Sequence, residues 1–240
     1  MSLIVTKGYL IGKYKYKLFD EILVFLNEYG NKFVCYALGT RKINSKNSFS
    51  LIFGNFLEFE FFYSNNPEKI SKLKKVTTLN AINFENSFNL GILVANDILS
   101  IKKTNKNDYI FYQNILLKVY KNENELAIAV YAYIYYLYTQ YPEWNFYKCG
   151  LHHSYSDSID LFNSNLFKCS KCSVNQQTYN LDINEIKFIL YLLKSSSLDE
   201  LFINCFLNKY NINWKKIYDY LNYLFNQYIR ILNKEKKKSK

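Results

Sequence analysis

The sequence predicts an α+β chain in which an all-β domain comes first and an all-α domain follows, with a small cysteine- and histidine-rich insert in the second. Three observations predict this. Residues 3 to about 80 hold short runs rich in β-branched and aromatic residues. After Asn83 the apolar period lengthens to that of amphipathic helices. Three of the five cysteines and both histidines fall between residues 147 and 172.

The strands are taken in order. LIVTKGYLIGKYKY is the opening strand, and FDEILVFLNEYGNKFVCYALG holds two more joined through Tyr29-Gly30-Asn31, a hairpin signal. SFSLIFGNFLEFEFFY, residues 48–63, ends in Leu57, Phe59 and Phe61 alternating with Glu58, Glu60 and Phe62, the pattern of a strand with one wet face. A last run lies near Leu73 to Ala81. About five strands in 80 residues are best accommodated by a small closed or partly closed barrel over residues 1–82, since closure removes exposed edges.

Residues 83–240 read as helical, with helices near 86–103, 108–121 and 123–140, then near 182–194, 197–208 and 212–234. Asp182 with Glu185 has capping-box spacing, and Asp199 and Asn211 stand near other starts. The insert occupies about 147–178 and interrupts this series. The run LAIAVYAYIYYLY, residues 126–138, is too short to cross a bilayer and reads as a buried helix. With no cationic, apolar leader at the start and no disulfide-scaffold spacing, the expected compartment is the cytoplasm.

The net charge is +11, and its distribution narrows the choice of partner. Residues 1–80 carry 12 Lys/Arg against 6 Asp/Glu, and residues 231–240 carry five Lys and one Glu. The 150 residues between them are nearly neutral. Basic patches of this kind draw polyanions by counterion release, so nucleic acid is the expected partner. For the C-terminal lysines a frayed, solvated helix end is the simpler explanation. No P-loop, HExxH or nucleophile motif is present. Asp157, Asp160 and His153 read as members of a polar loop, so no enzyme activity is expected.

Cys149-Gly-Leu-His152 and Cys169-Ser-Lys-Cys172 are two short chelating pairs separated by 16 residues. Each x₂ spacing lets two ligands of one knuckle meet the same ion, and two knuckles complete a tetrahedron. Cys149, His152, Cys169 and Cys172 are therefore the candidate ligands of a structural zinc, with His153 as the alternative fourth. All four positions are filled by protein, leaving none to activate water. A loop that binds nothing is the alternative. A redox pair is disfavoured, because no thioredoxin-like strand and helix flank Cys169 and Cys172. Cys35 and Cys205 lie in apolar runs and read as core.

The N-terminal motifs carry a resemblance. KGYLIGKYKYKLFDEILVFLNEYGNKFVCYALGTRK contains Asp20 before an apolar run, Glu28-Tyr-Gly30 at the hairpin, and Gly39-Thr-Arg41-Lys42 followed by Ser45. Later, YLYTQYPEWNFYKCGLH and KCSKC follow a helix and a proline turn. In this order they resemble the bacterial RecO family of recombination mediators. His152 stands where a cysteine is usual, and Lys17-Leu18 stand where Gly-Glu is frequent. The resemblance implies that the barrel is an OB-fold nucleic-acid-binding domain. It implies a nucleoid-associated, non-catalytic protein that binds single- and double-stranded DNA and anneals complementary strands. With RecR, such a protein helps RecA replace single-strand-binding protein, whose acidic C-terminal peptide docks on the helical half.

Residue by residue, Lys13, Lys15 and Lys17 alternate along the first strand and so share a face if the strand is regular. Tyr14 and Tyr16 are then expected in the core. Lys32, Arg41, Lys42 and Lys46 lie at or near loop ends, and Arg41 with Lys42 lead the expected DNA contacts. Two other readings share these features. One is a general single-stranded nucleic-acid or RNA module on the same barrel. The other is a protein-interaction scaffold with a structural zinc and an incidental basic patch.

Overall fold

The computed structural model describes residues 2–64, 70–140, 160–162, 166–168, 181, 184–185, 187–189, 209 and 212–238. The chain divides into two compact units, Met1–Ile128 and Ala129–Lys240. The first opens with strands β1 (Ser2–Lys15), β2 (Glu21–Asn27), β3 (Lys32–Ala37), β4 (Phe56–Tyr63) and β5 (Ser71–Asn80). They close into a barrel in the order β1-β2-β3-β5-β4. Every neighbouring pair is antiparallel except β3 with β5. Five strands in this order, followed by helices, are compatible with an OB-fold and a helical domain.

Alternation decides what fills the barrel. Leu57, Phe59 and Phe61 of β4 point inward and are fully buried, while Glu58, Glu60 and Phe62 are only partly covered. They meet Leu10, Leu23, Phe25, Leu73 and Val76, with Phe25 stacked on Phe59 at 4.3 Å. Cys35 belongs to this core as expected, and burial pushes its thiol up to about 12.

The fourth strand is shorter than its sequence suggests. It begins at Phe56, and residues 48–55 form turns instead. Side chains of this Ser/Asn-rich stretch bond to backbone and so compete with a sheet ladder. Ser48 Oγ donates to the Ser45 carbonyl at 2.8 Å, and Asn47 Oδ1 accepts from the Val76 N–H at 3.1 Å. The apolar member of the stretch is still used, because Leu51 is buried in the barrel core.

Helices α1 (Leu90–Ile101), α2 (Lys106–Tyr120) and α3 (Glu125–Gln140) follow, and α4 (Trp214–Lys238) comes near the end of the chain. Asparagine starts them. Asn89 accepts from Gly91 N–H, Asn124 from Leu126 N–H and Asn213 from Lys215 N–H. Asn105 forms a capping box with Asp108 at the head of α2, two residues earlier than the sequence suggests. At α4 the cap is Asn213.

Strand gives way to helix close to residue 82, yet the first compact unit runs on to Ile128. Aromatic and polar contacts bind α1 and α2 to the barrel. Tyr9 of β1 packs its ring on Tyr109 and Tyr112 of α2, at 5.6 and 5.2 Å. Lys106 Nζ donates to the Glu28 carbonyl of the β2–β3 turn. A buried ion pair, Lys102 Nζ to Asp108 Oδ1 at 2.7 Å, ties α1's end to α2's start.

In the second unit α3 and α4 pack through Tyr133 and Tyr136 against Phe225, and Tyr133 donates a hydrogen bond to Asn222 Oδ1 at 2.8 Å. Residues 184–185 and 187–189 are helical, within the helix expected near 182–194. Glu185 pairs with Lys216 at 2.8 Å. Asp160 lies in a strand, not a loop. Strands β6 (Asp160–Phe162) and β7 (Leu166–Lys168) pair antiparallel, with Asp160 opposite Lys168. Cys149, His152, His153, Asp157, Cys169, Cys172, Asp182, Asp199, Cys205 and Asn211, with the helix expected near 197–208, lie outside the described residues. Among the described residues, no helix is long and apolar enough to cross a membrane.

Candidate nucleic-acid interface

The candidate site forms where β1, β2 and β3 meet at one end of the barrel. The sequence between β1 and β2, Tyr16 to Asp20, is too short to wander, and it is fastened to the segment that follows β3. Asp20 does the fastening. It is only 7% exposed, and its carboxylate accepts the Tyr36 hydroxyl and the Gly39 N–H, the latter at 2.8 Å. Arg41 N–H donates to the Phe19 carbonyl at 3.0 Å. Arg41 Nη1 donates to the carbonyls of Leu18 at 3.0 Å and Lys17 at 3.3 Å. Lys42 Nζ lies over the Phe19 ring, 5.7 Å from its centre. Two loops distant in sequence thus behave as one ridge.

These bonds set the charge states. The Tyr36 hydroxyl and the Gly39 N–H hold the Asp20 carboxyl below its ordinary value, helped by the charges of Lys17 and Lys42. The same bond to Asp20 pushes the Tyr36 phenol up to about 12. The sign of the stability effect follows. A lowered carboxyl stabilises the fold above roughly pH 4, and that contribution disappears as pH falls through the folded-state value. A raised phenol stabilises below roughly pH 10 and loses its effect as pH climbs toward 12. Wild type should therefore exceed Tyr36→Phe in urea midpoint at neutral pH, and the gap should narrow at both extremes. A gap independent of pH would mean that the Tyr36–Asp20 bond is not made.

The seven expected DNA contacts separate into groups. Lys17, Arg41, Lys42 and Lys46 are exposed on the two fastened loops. Residues 38–51 contain no acidic side chain to offset them. Apart from Nη1, the guanidinium of Arg41 makes no bond within the described residues, so its outer edge is open to an anion. Lys15 is exposed at the end of β1, opposite Glu21. Lys13 is partly spent, with Nζ 3.4 Å from the Leu51 carbonyl and 4.0 Å from Glu21.

Three expectations are corrected. Lys17 is not on the first strand, which ends at Lys15. Lys32 is not free to meet DNA, because its ammonium donates to the carbonyls of Leu99, Ser100 and Lys102 at the end of α1. Those acceptors match the three N–H bonds that a lysine has to give, and a helix C-terminus favours a cation. Finally, Tyr14 and Tyr16 are not core residues, being 49% and 58% exposed. An irregularity in the β1–β2 register between Leu10 and Gly12 shifts the alternation beyond it. Tyr14 then aligns across the strands with Ile22 and Tyr36 on the outer face.

Sequence reasoning missed two contributors. Tyr36 lies on that outer face and meets Tyr16 edge-on at 5.6 Å. Lys72 is exposed on β5 opposite Tyr36 in the parallel β3–β5 ladder. Its signal was the alternation in KLKK, but only the crossover of β5 to β3 brings it beside Tyr36. Together they place exposed aromatic rings next to lysines, the combination that stacks unpaired bases and follows a phosphate chain.

A comparison with known proteins bears on this arrangement. The chain is 28% identical over 175 residues to the protein named DNA repair protein RecO of Mycoplasma mycoides subsp. mycoides SC, covering 69% of each chain. The chain is similar to RecO. No protein-family model matches it. The likeness to RecO agrees with the resemblance read from Asp20, Glu28-Tyr-Gly30 and Gly39-Thr-Arg41-Lys42. Three of those residues, Asp20, Gly39 and Arg41, are the ones that fasten the two loops.

Proposed function

We propose that this protein is a DNA-binding recombination mediator acting in DNA repair. It binds single- and double-stranded DNA and anneals complementary strands. With RecR, it helps RecA replace single-strand-binding protein at gaps and breaks. The observation that carries this reading is the similarity to RecO, and the cationic, aromatic barrel end supports it. Annealing needs two strands held close, with their charge neutralised and their bases reachable. Lys15, Lys17, Arg41, Lys42 and Lys46 supply the charge, and Tyr14 and Tyr16 supply stacking surface. No step requires an acid, base or nucleophile, and the work is done in the cytoplasm, at the nucleoid.

The acidic, apolar C-terminal peptide of single-strand-binding protein docks on the helical half, where a helix-lined apolar groove with a cation at its rim would receive it. The expected zinc is structural, held by Cys149, Cys169, Cys172 and either His152 or His153. Metal analysis should find one zinc per chain in the wild type and in whichever of His152→Ala and His153→Ala keeps the true ligand. Wild-type protein without zinc sinks the site.

The deciding experiment is annealing of complementary strands coated with single-strand-binding protein, with and without RecR. The expected result is annealing by the wild type that responds to RecR. Ordinary DNA binding with no annealing would instead mark a general single-stranded nucleic-acid module.

A further inference from the structure

A carboxylate buried in the middle of a cationic site opposes the polyanion that the site is built to hold. Asp20 stands there, its charge within electrostatic reach of Lys17 and Lys42. Judged by charge alone it is a defect, because removing it would make the surface more basic and strengthen attraction to phosphates. Judged by geometry, it is, among the described residues, the only side chain bonded to both the end of β3 and the turn beyond it. One oxygen takes the Tyr36 hydroxyl and the other takes the Gly39 N–H. Its backbone carbonyl receives the Tyr16 N–H at 3.1 Å, which closes the β1–β2 loop as well.

We propose that Asp20 is a positioning residue for nucleic-acid binding, locking the β1–β2 loop to the Gly39 turn so that Lys17, Arg41 and Lys42 form one cation row. The inference rests on the DNA-binding reading above. Gly39 has φ +65°, a left-handed conformation in which its N–H points back at Asp20. Two residues later the chain presents Arg41, whose guanidinium reaches the Lys17 and Leu18 carbonyls. If the Gly39 turn is released, Arg41 and Lys42 are no longer held at a set distance from Lys17. A flexible cation still attracts phosphate, but each one pays ordering entropy on binding and fewer reach their phosphates together.

The sign of the effect makes this testable. Asp20→Ala and Asp20→Asn change the charge identically, but only asparagine keeps an acceptor for the Gly39 N–H. Binding to a fluorescent oligonucleotide is measured across a salt series for both variants, alongside Arg41→Ala/Lys42→Ala. The expected result is that Asp20→Ala binds several-fold more weakly than wild type despite its added positive charge. Its salt slope should fall by about 1, the loss of roughly one phosphate contact. Asp20→Asn should keep the wild-type slope. If the two variants behave alike, in either direction, the positioning role is overturned. Should Asp20→Ala fail to fold, Asp20→Leu takes its place, being close to Asp in shape but without an acceptor for the Gly39 N–H, and a wild-type slope there overturns the proposal. The double variant separates the two ideas. If it leaves binding untouched, the site itself is elsewhere; if it weakens binding while Asp20→Ala does not, only the positioning role fails.

Discussion

Gly30→Ala should destabilise the first unit by more than about 3 kcal/mol, a sum of backbone strain and overpacking. Gly30 turns the β2–β3 hairpin at φ +81°, in the left-handed region where a Cβ is unfavourable. A Cβ there would also lie 2.0 Å from the carbonyl carbon of Asn105 and 2.3 Å from the nitrogen of Lys106. Both are backbone atoms at the head of α2, and neither can step aside as a flexible side chain does. The hairpin would have to lift from the helix, which threatens the Lys106 bond to Glu28 and the three carbonyl bonds of Lys32. Gly39→Ala is the control, since its φ is also positive but its Cβ would meet only the Lys42 side chain at 3.5 Å. It should cost about 1–2 kcal/mol, the strain alone. Urea denaturation of both variants measures the difference. Equal losses would mean that the hairpin is not seated on α2.

Arg41→Ala/Lys42→Ala should weaken DNA binding by one to two orders of magnitude at about 0.1 M salt. It should lower the slope of log K against log salt by about 2, near 0.7–0.9 per phosphate contact. Lys42→Ala alone should lower it by about half as much. The double variant loses more than charge, because Arg41 also holds the Lys17 and Leu18 carbonyls. The single variant therefore isolates the phosphate contact, and the double adds disorder of the ridge. A slope that stays put in both would remove the pair from the interface.

The barrel was legible because its information is local. Leu57, Phe59 and Phe61 alternate with polar neighbours, and a period of two admits only a strand with one buried face. The Tyr29-Gly30-Asn31 turn was readable for the same reason. Helices 90–101, 106–120 and 125–140 emerged from their apolar period to within a few residues, and their ends moved because asparagine caps act at single positions. The site was less legible. Arg41 and Lys42 stood out through the motif, but the exposure of Tyr14 and Tyr16 depends on an irregularity that reverses the faces of a strand. A one-residue slip turns every later side chain over, and nothing in GKYKYK announces it.

Lys32 and Lys42 show the division most plainly. Each is a lysine near a loop end, and by sequence each is an equal candidate for a phosphate. The sequence by itself determined that the chain begins as a barrel, continues as helices, concentrates cations in its first third and resembles RecO. Each of these follows from periodicity, composition or a contiguous motif. Only the tertiary structure decided that Lys32 caps α1 while Lys42 stays exposed over Phe19, and that Asp20 joins loops some 20 residues apart. A long-range partner can be satisfied by many chains of the same composition, so its identity is settled only when the fold brings the two groups within hydrogen-bonding distance.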